Sequence, residues 1–380
     1  MREALEDSNY NPSSLHTEGR RARAVLDSAR QRMASLLGAR SNEIAFTSGG
    51  TEADNQALLG VLKLAPPGSH VVSSAIEHHA VLSALDRLHE EGVTVTLLPV
   101  GSDGRVDPAE FASALRPTTF LASVMLANNE IGTIQPVAQL AAIAREHGVL
   151  FHTDAVQAPS WLPIDVAELG VDLLTLSAHK FYGPKGVGLL YARAGVPIAP
   201  HVIGGGQEFG RRSGTQNVLG IVGMAKAFEL AVQERPAASA RTAALRDRLA
   251  AGIQAGIADV RRNGSADGRL ANNLNMSFAG VESEALLIAL DLEGIAVSAG
   301  SACTSGSLDP SHVLAALGIG ARWQTGAIRF SLGRTTTDME IDRVLRTLPA
   351  LVARLRQPRA QNQGDGPTKK PNGAPLEAQA

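Results

Sequence analysis

The feature that most restricts the fold is an alternation. Short β-prone runs at Ile44–Thr47, Val71–Ser74, Val93–Leu98, Phe120–Leu126, Val149–Thr153, Leu173–Ser177 and Val187–Tyr191 are mostly separated by amphipathic helical patterns such as His79–Glu90 and Val137–His147. Strands that alternate with helices predict an α/β fold: a mainly parallel sheet covered by helices on both faces. Ligand groups in such sheets gather at the carboxyl ends of the strands. Ahead of the first run, apolar residues from Val25 to Leu37 fall at helical spacing and Gly38 follows as a stop.

Near Arg235–Ala240 the pattern changes. A long Ala/Arg/Leu helix leads into Leu274–Phe278, helix Glu282–Leu292, Ile295–Ser298, a Gly/Ser loop, helix Ser311–Leu317, strand Ile328–Leu332 and a last helix from about Thr337. We expect residues 11–234 to form a large domain and residues 235–356 a smaller α+β domain. Residues 1–10 form a short leading segment. Residues 357–380 carry four Pro, three Gly and no aromatic side chain, so they form a tail with too little apolar surface to order itself.

Composition excludes several function classes. The 35 Lys and Arg against 37 Asp and Glu leave a net charge of −2, so neither nucleic acid nor an anionic membrane is an expected partner. No apolar run approaches the ~18–20 residues of a membrane span, and the start resembles neither a secretory signal nor a transit peptide. Cys303 is the single cysteine. That rules out a disulfide framework within one chain and a multi-Cys metal cluster, and a cytoplasmic protein is expected. The histidines show no ligand spacing with Cys303, so no metal site is expected.

Lysines are scarce as well. Two of the six, Lys369 and Lys370, lie in the tail, leaving Lys63, Lys180, Lys185 and Lys226 for any lysine-dependent reaction in the folded body. Asp154 ends one β-prone run and Lys180 follows the next, so an acid and an amine reach the same sheet edge. That pair suits pyridoxal phosphate: the lysine condenses with the aldehyde, and the acid keeps the pyridine nitrogen protonated. A surface salt bridge is the plainer alternative. Lys185 is the rival lysine, in a Gly/Pro setting that reads as a turn. Thr47-Ser48-Gly49-Gly50-Thr51-Glu52 ends a strand and opens a helix. Its glycines and unpaired N–H groups suit an anion, although ordinary strand–helix turns look the same.

His78 and His79 follow a strand, where an imidazole can stack on a flat ring and move protons or simply serve the structure. His179 beside Lys180 has the same two readings. Cys303 sits in a loop of small residues, and a nucleophilic role requires a nearby cation, a helix N-terminus or a proton acceptor. Arg329, on a strand, can clamp a carboxylate bidentately or hold a structural ion pair. Cys303 with His312 is too little for a hydrolase of the cysteine-protease kind, because no oxyanion loop accompanies them.

Taken together, these stretches resemble the cysteine desulfurases, in the branch of the nitrogen-fixation and housekeeping iron–sulfur enzymes. The matching segments are NPSSLH (11–16), TSGGTEADN (47–55), EHHAV (77–81), ANNEIGTIQP (127–136), HTDAVQ (152–157), SAHKFYGPKGVG (177–188), GGGQEFGRRSGTQN (204–217), SAGSACTSGSLDPSHVL (298–314) and IRFSLGR (328–334). The resemblance implies the type I pyridoxal-phosphate transferase fold, of the class V aminotransferase kind, in a homodimer. It implies Lys180 as the Schiff-base lysine, Asp154 as the pyridinium partner and Gln157 at the cofactor's phenolic oxygen. His78 matches the ring-stacking, proton-handling histidine. Gly50, Thr51, Ser177 and His179 match the phosphate cradle, and Thr215 the threonine lent by a neighbouring subunit. Asn129 lies by cofactor and substrate, Arg329 matches the clamp on the substrate carboxylate, and Cys303 the sulfur acceptor.

The implied reaction takes sulfur from L-cysteine, leaving alanine and a persulfide on Cys303 for an iron–sulfur scaffold or a tRNA-thiolation carrier. A selenocysteine lyase of the same fold is the nearest alternative. The family also carries an Asp-x-x-Ala-Thr-Thr-like stretch ahead of the position of Asn11, absent from the ten residues that precede Asn11 here. That difference motivates a second alternative, a non-catalytic scaffold that binds the cofactor without making alanine.

Overall fold

The computed structural model describes residues 1, 5, 10–299 and 311–357. Cys303 and nearly all of the tail lie outside the described residues. Helix α1 (Thr17–Leu37) leads into β1 (Ile44–Thr47), α2 (Gly50–Leu62), β2 (His70–Ser74), α3 (His79–Glu90), β3 (Thr94–Leu98), α4 (Pro108–Ala114), β4 (Thr119–Ser123), α5 (Val137–Glu146) and β5 (Leu150–Asp154). Then come α6 (Val166–Leu169), β6 (Leu173–Ser177), β7 (Gly188–Ala192) and α7 (Val218–Gly256). The remainder comprises β8 (Val260–Arg262), β9 (Asn273–Phe278), α8 (Ser283–Leu292), β10 (Ser298–Ala299), α9 (His312–Ala316), α10 (Ala321–Gln324), β11 (Ala327–Ser331) and α11 (Asp338–Arg356).

Seven strands make one sheet in the order β1-β7-β6-β5-β4-β2-β3. Strands β3, β2, β4, β5 and β6 run parallel, and β7 runs antiparallel to both β6 and β1. The sheet is mainly parallel, as the alternation predicts. Strands β5, β6 and β7 are almost wholly buried, as central strands covered on both faces are; β5 nevertheless ends in the polar run His152-Thr153-Asp154. Edge strand β3 is largely exposed or half-buried. Residues of α1, α5 and α7 pack with Phe111 and Phe151 in one core, while α2 and α3 pack with Leu121 and Leu190 in another. Fully burying a side chain such as Phe151 contributes about 1.5–3 kcal/mol.

A second, four-stranded sheet has the order β10-β11-β9-β8 and packs against the latter part of α7, α8 and α11. Helix α7 is 39 residues long and runs unbroken through Pro236. It passes directly through the stretch where the sequence pattern changes. Its early residues Ile221, Met224 and Phe228 belong to the core of the large sheet. Its later residues Leu245, Leu249 and Ile253 belong to the core of the small one.

Local chemistry sets the element ends. Gly38 closes α1 with φ 70°, a left-handed conformation that glycine adopts without a Cβ penalty. Thr337 and Glu340 form a reciprocal capping box at the start of α11. The imidazole of His78 caps α3: its Nδ1 accepts the Ala80 N–H at 3.1 Å.

Candidate active site

The carboxyl ends of β2, β4, β5 and β6 converge on a cavity of about 280 Å³. Ten residues expected from sequence line it. Gly50 and Thr51 come from the start of α2, His78 from the turn after β2, and Asn129 from the loop after β4. Asp154 and Gln157 come from the end of β5, Ser177, His179 and Lys180 from the end of β6, and Arg329 from β11. Thr215 does not join them; it is exposed in the segment that leads into α7. Met125, Asp54, His79, Glu130, Val156 and His312 line the cavity too; of these, only His79 was offered from sequence as a candidate for the site. A larger cavity of about 420 Å³, beside the Phe181–Pro184 turn and α7, contains neither Asp154 nor Lys180.

The start of α2 is built for close approach. Gly49 precedes the helix without a side-chain cap, so no side chain competes there for the first N–H groups. A Cβ on Gly50 would stand 2.9 Å from Val156 Cγ2 and 3.4 Å from Ser177 Cβ. Gly188, at the start of β7, lets its strand pass the turn: a Cβ there would lie 2.5 Å from the Gly49 carbonyl carbon. Ser177 Oγ and His179 Nδ1 are 3.0 Å apart. Glu52 accepts the Ser48 N–H at 2.8 Å and pairs with Arg212 at 2.8 Å. That ion pair ties the segment carrying Thr215 to the first turn of α2.

Asp154 is 7% exposed, and its Oδ1 accepts the Val156 N–H at 2.9 Å. Burial pushes its carboxyl up to about 6, against the pull of that N–H and of the Lys180 charge. The carboxylate therefore exists near neutral pH and would gain from a cationic partner. Lys180 follows β6 on a 3-10 turn, Ala178–Phe181, which lifts its side chain out of the sheet at the strand end. Strands β5 and β6 are neighbours, with Asp154 in register with Thr175.

The imidazoles are held in defined states. Because His78 Nδ1 accepts a backbone N–H, the neutral ring carries its proton on Nε2. Burial, His79, Lys180 and His312 all hold its pKa below the usual value. His312 Nε2 lies 2.9 Å from the Glu77 carbonyl oxygen. A carbonyl only accepts, so His312 carries a proton on Nε2. Its ring stands 4.8 Å from that of His79.

Arg329 is aligned from behind. Its Nη1 donates to the Asn129 carbonyl at 3.2 Å. Asn273 Nδ2 donates to the same carbonyl at 3.1 Å. Asn273 on β9 and Arg329 on β11 thus fix the loop after β4 from two strands of the small sheet. Sequence pattern missed Asn273 and Asn275, since a buried asparagine on a strand carries no signal of its partners.

Comparisons with known proteins agree with this architecture. The aminotransferase class-V family model matches residues 1–344. A cysteine desulfurase IscS of Dictyoglomus turgidum is 49% identical over 357 residues, covering 94% of this chain and 91% of the relative. The cysteine desulfurase NifS of Azotobacter vinelandii is 46% identical over 365 residues, covering 96% and 91%. Among solved structures, a NifS-like protein superposes with a TM-score of 0.87 at 38% identity, covering 93% of this chain and 94% of that one. A fold built this way, carrying an acid and a lysine at adjacent strand ends and matched at this level over nearly its whole length, places the chain in the class-V aminotransferase family, among the cysteine desulfurases.

Proposed function

We propose that this chain removes sulfur from L-cysteine with pyridoxal phosphate as cofactor, releasing alanine and passing the sulfur through Cys303 to an acceptor protein. The observation that carries the reading is the convergence of Asp154, Lys180 and Arg329 on one cavity. The residues present suit the cofactor. The Gly50 turn leaves room that a Cβ would take up, and the N-terminus of α2 with Thr51, Ser177 and His179 offers donors for a phosphate. Asp154 would hold the ring nitrogen, Gln157 the phenolic oxygen, and Lys180 the aldehyde carbon.

Bound there, the cofactor supplies an aromatic ring that accepts electron density from the substrate. The chain supplies the rest. Arg329 presents a fixed cation to the substrate carboxylate. The Lys180 amine takes or returns the proton at the substrate carbon. His78, with its proton on Nε2, presents a donor. Cys303 lies outside the described residues; its role rests on the segment SAGSACTSGSLDPSHVL (298–314). Its thiolate would attack the substrate sulfur, so that the S–S bond forms as the C–S bond breaks and the electron pair returns toward carbon.

A cysteine-bearing solved relative supports the substrate: the structure titled SspA in complex with cysteine superposes with a TM-score of 0.77 at 35% identity, covering 88% of this chain. We further propose a homodimer in which Thr215 serves the neighbouring subunit's cofactor, consistent with its exposure here. The acceptor is an iron–sulfur scaffold or a thiolation carrier. A cytoplasmic location suits a lone cysteine that has to stay reduced between turnovers. Among the described residues no helix is long and apolar enough to cross a membrane.

The test is direct. Purified chain is incubated with pyridoxal phosphate and L-cysteine, and absorbance, alanine and protein-bound sulfur are measured. The wild type should be coloured and release alanine. Lys180→Ala should lose the absorption of the lysine-bound cofactor. Cys303→Ala should keep the colour and lose the persulfide. A colourless wild type, or a Cys303→Ala protein with full persulfide yield, overturns the proposal.

A further inference from the structure

The floor of the cavity contains a second buried acid that the proposed reaction does not use. Asp54, on the second turn of α2, is 1% exposed and lines the same cavity as Asp154. Beside it lies a row of buried polar side chains. His152 is wholly buried between two hydroxyls, with Nδ1 2.8 Å from Ser123 Oγ and Nε2 3.0 Å from Thr175 Oγ1. The Thr175 hydroxyl beside His152 pulls the Asp54 carboxyl down, but burial outweighs it and holds the carboxyl well above the usual carboxylate range.

His152 is neutral, because burial holds its pKa at about 3, so it brings no cation to balance a carboxylate. One oxygen of Asp54, Oδ1, has no hydrogen-bond partner and is fully buried. His152 Nε2 lies 3.7 Å from it, beyond hydrogen-bond distance. An ionised carboxylate with an unpartnered buried oxygen is strongly disfavoured. The other acids facing it, Asp154 and Glu77, add like charge. The Lys180 charge acts on Asp154.

We propose that Asp54 is a positioning residue that stays protonated beneath Asp154, so that Asp154 alone carries the negative charge offered to the cofactor's ring nitrogen. Two carboxyls sharing one low-dielectric space do not both ionise. The one held by a backbone N–H, Asp154, takes the charge. Asp54 holds the proton. Topology brings these side chains together: Thr175 and Asp154 are in register on adjacent parallel strands, and His152 and Asp154, two apart on β5, face the same side of the sheet. This inference rests on the cofactor reading above.

The experiment uses the cofactor-loaded protein and infrared difference spectroscopy at pH 7. Wild type minus Asp54→Asn should contain the carbonyl stretch of a protonated carboxylic acid. A difference containing only carboxylate bands overturns the proposal. The pyridoxal phosphate dissociation constant of Asp54→Asn should stay within about threefold of wild type, since a neutral amide replaces a neutral acid; a loss beyond about tenfold would mark Asp54 as a working anion and overturn it too. A second variant, Thr175→Val, leaves Asp54 in place and removes the donor that favours its ionised form. Its acid band should survive to higher pH than in wild type, and disappearance at the same or lower pH counts against the proposal. A wild type that takes up no cofactor would instead overturn the reading of the site itself.

Discussion

Arg329 and Asn275 stand directly opposite each other on β11 and β9, and both donate to the same loop, Arg329 to the Asn129 carbonyl and Asn275 to the Glu130 carbonyl at 3.1 Å. The strand pair thus sets the height of the proposed carboxylate clamp over the cavity. Asn275 also accepts from Asn263 Nδ2 at 2.7 Å. Asn275→Ala should leave the cofactor absorbance in place and raise the half-saturating cysteine concentration by roughly 3–10-fold, the equivalent of about one hydrogen bond. Steady-state alanine release checks this. An unchanged half-saturation would show that the loop holds its place without Asn275.

Gly188 makes a second, steric prediction. Its absent Cβ leaves the Gly49 backbone room on β7, with the Gly49 carbonyl oxygen 2.6 Å from where a Cβ would stand. Backbone cannot swing aside as a side-chain end can. Gly188→Ala should therefore cost about 1–3 kcal/mol of stability and loosen the phosphate cradle. Urea unfolding and cofactor retention on gel filtration measure the two effects.

Glu77 predicts a pH dependence. It is fully buried, accepts the Met125 N–H at 3.0 Å, and burial pushes its carboxyl up to about 8. The folded chain holds this proton more tightly than the unfolded one. Stability attributable to Glu77 is thus complete below about pH 4.5 and falls as pH rises to about 8. Asp54 and Asp154 shift in the same direction. Glu77→Gln should flatten this decline, by roughly 3–5 kcal/mol over the whole span. Urea midpoints between pH 5 and 8 decide it; parallel wild-type and variant profiles would show that Glu77 does not titrate there.

Arg30 and Glu208 form a buried, bidentate pair at 2.7 Å, and Glu208 also accepts the Phe46 N–H at 2.8 Å. Removing one partner strands a buried charge. Glu208→Ala should cost about 3–5 kcal/mol, more than a paired Arg30→Met, Glu208→Leu exchange. Thermal unfolding of the two proteins side by side tests the order.

Much of this was legible in the sequence, for identifiable reasons. Strands such as Leu173–Ser177 appear where expected because both faces are buried and the chain there is mostly apolar. The β4 run was overextended: Val124, Met125 and Leu126 are as apolar as a strand, and are buried, but they form a bend held by hydrogen bonds to β5 carbonyls. Lys180 and Asp154 were visible because strand ends carry function in parallel sheets. Asp54 and His312 were not. Asp54 looks like any polar residue in a first or second helical turn. His312 reaches the cavity only through a packing that joins residues far apart in the chain, such as His312 and Glu77. Asn273 and Asn275 were hidden for the same reason.

Helix α7 has a practical consequence. Since one continuous rod contributes Phe228 to one core and Leu249 to the other, a chimera spliced at Pro236 would divide a shared beam. Each fragment would keep a stub whose oily stripe was shaped for neighbours on only one side of the cut. Exchange of the terminal sheet between relatives therefore calls for a junction before Val218 or after Gly256, with the whole rod travelling as a single piece.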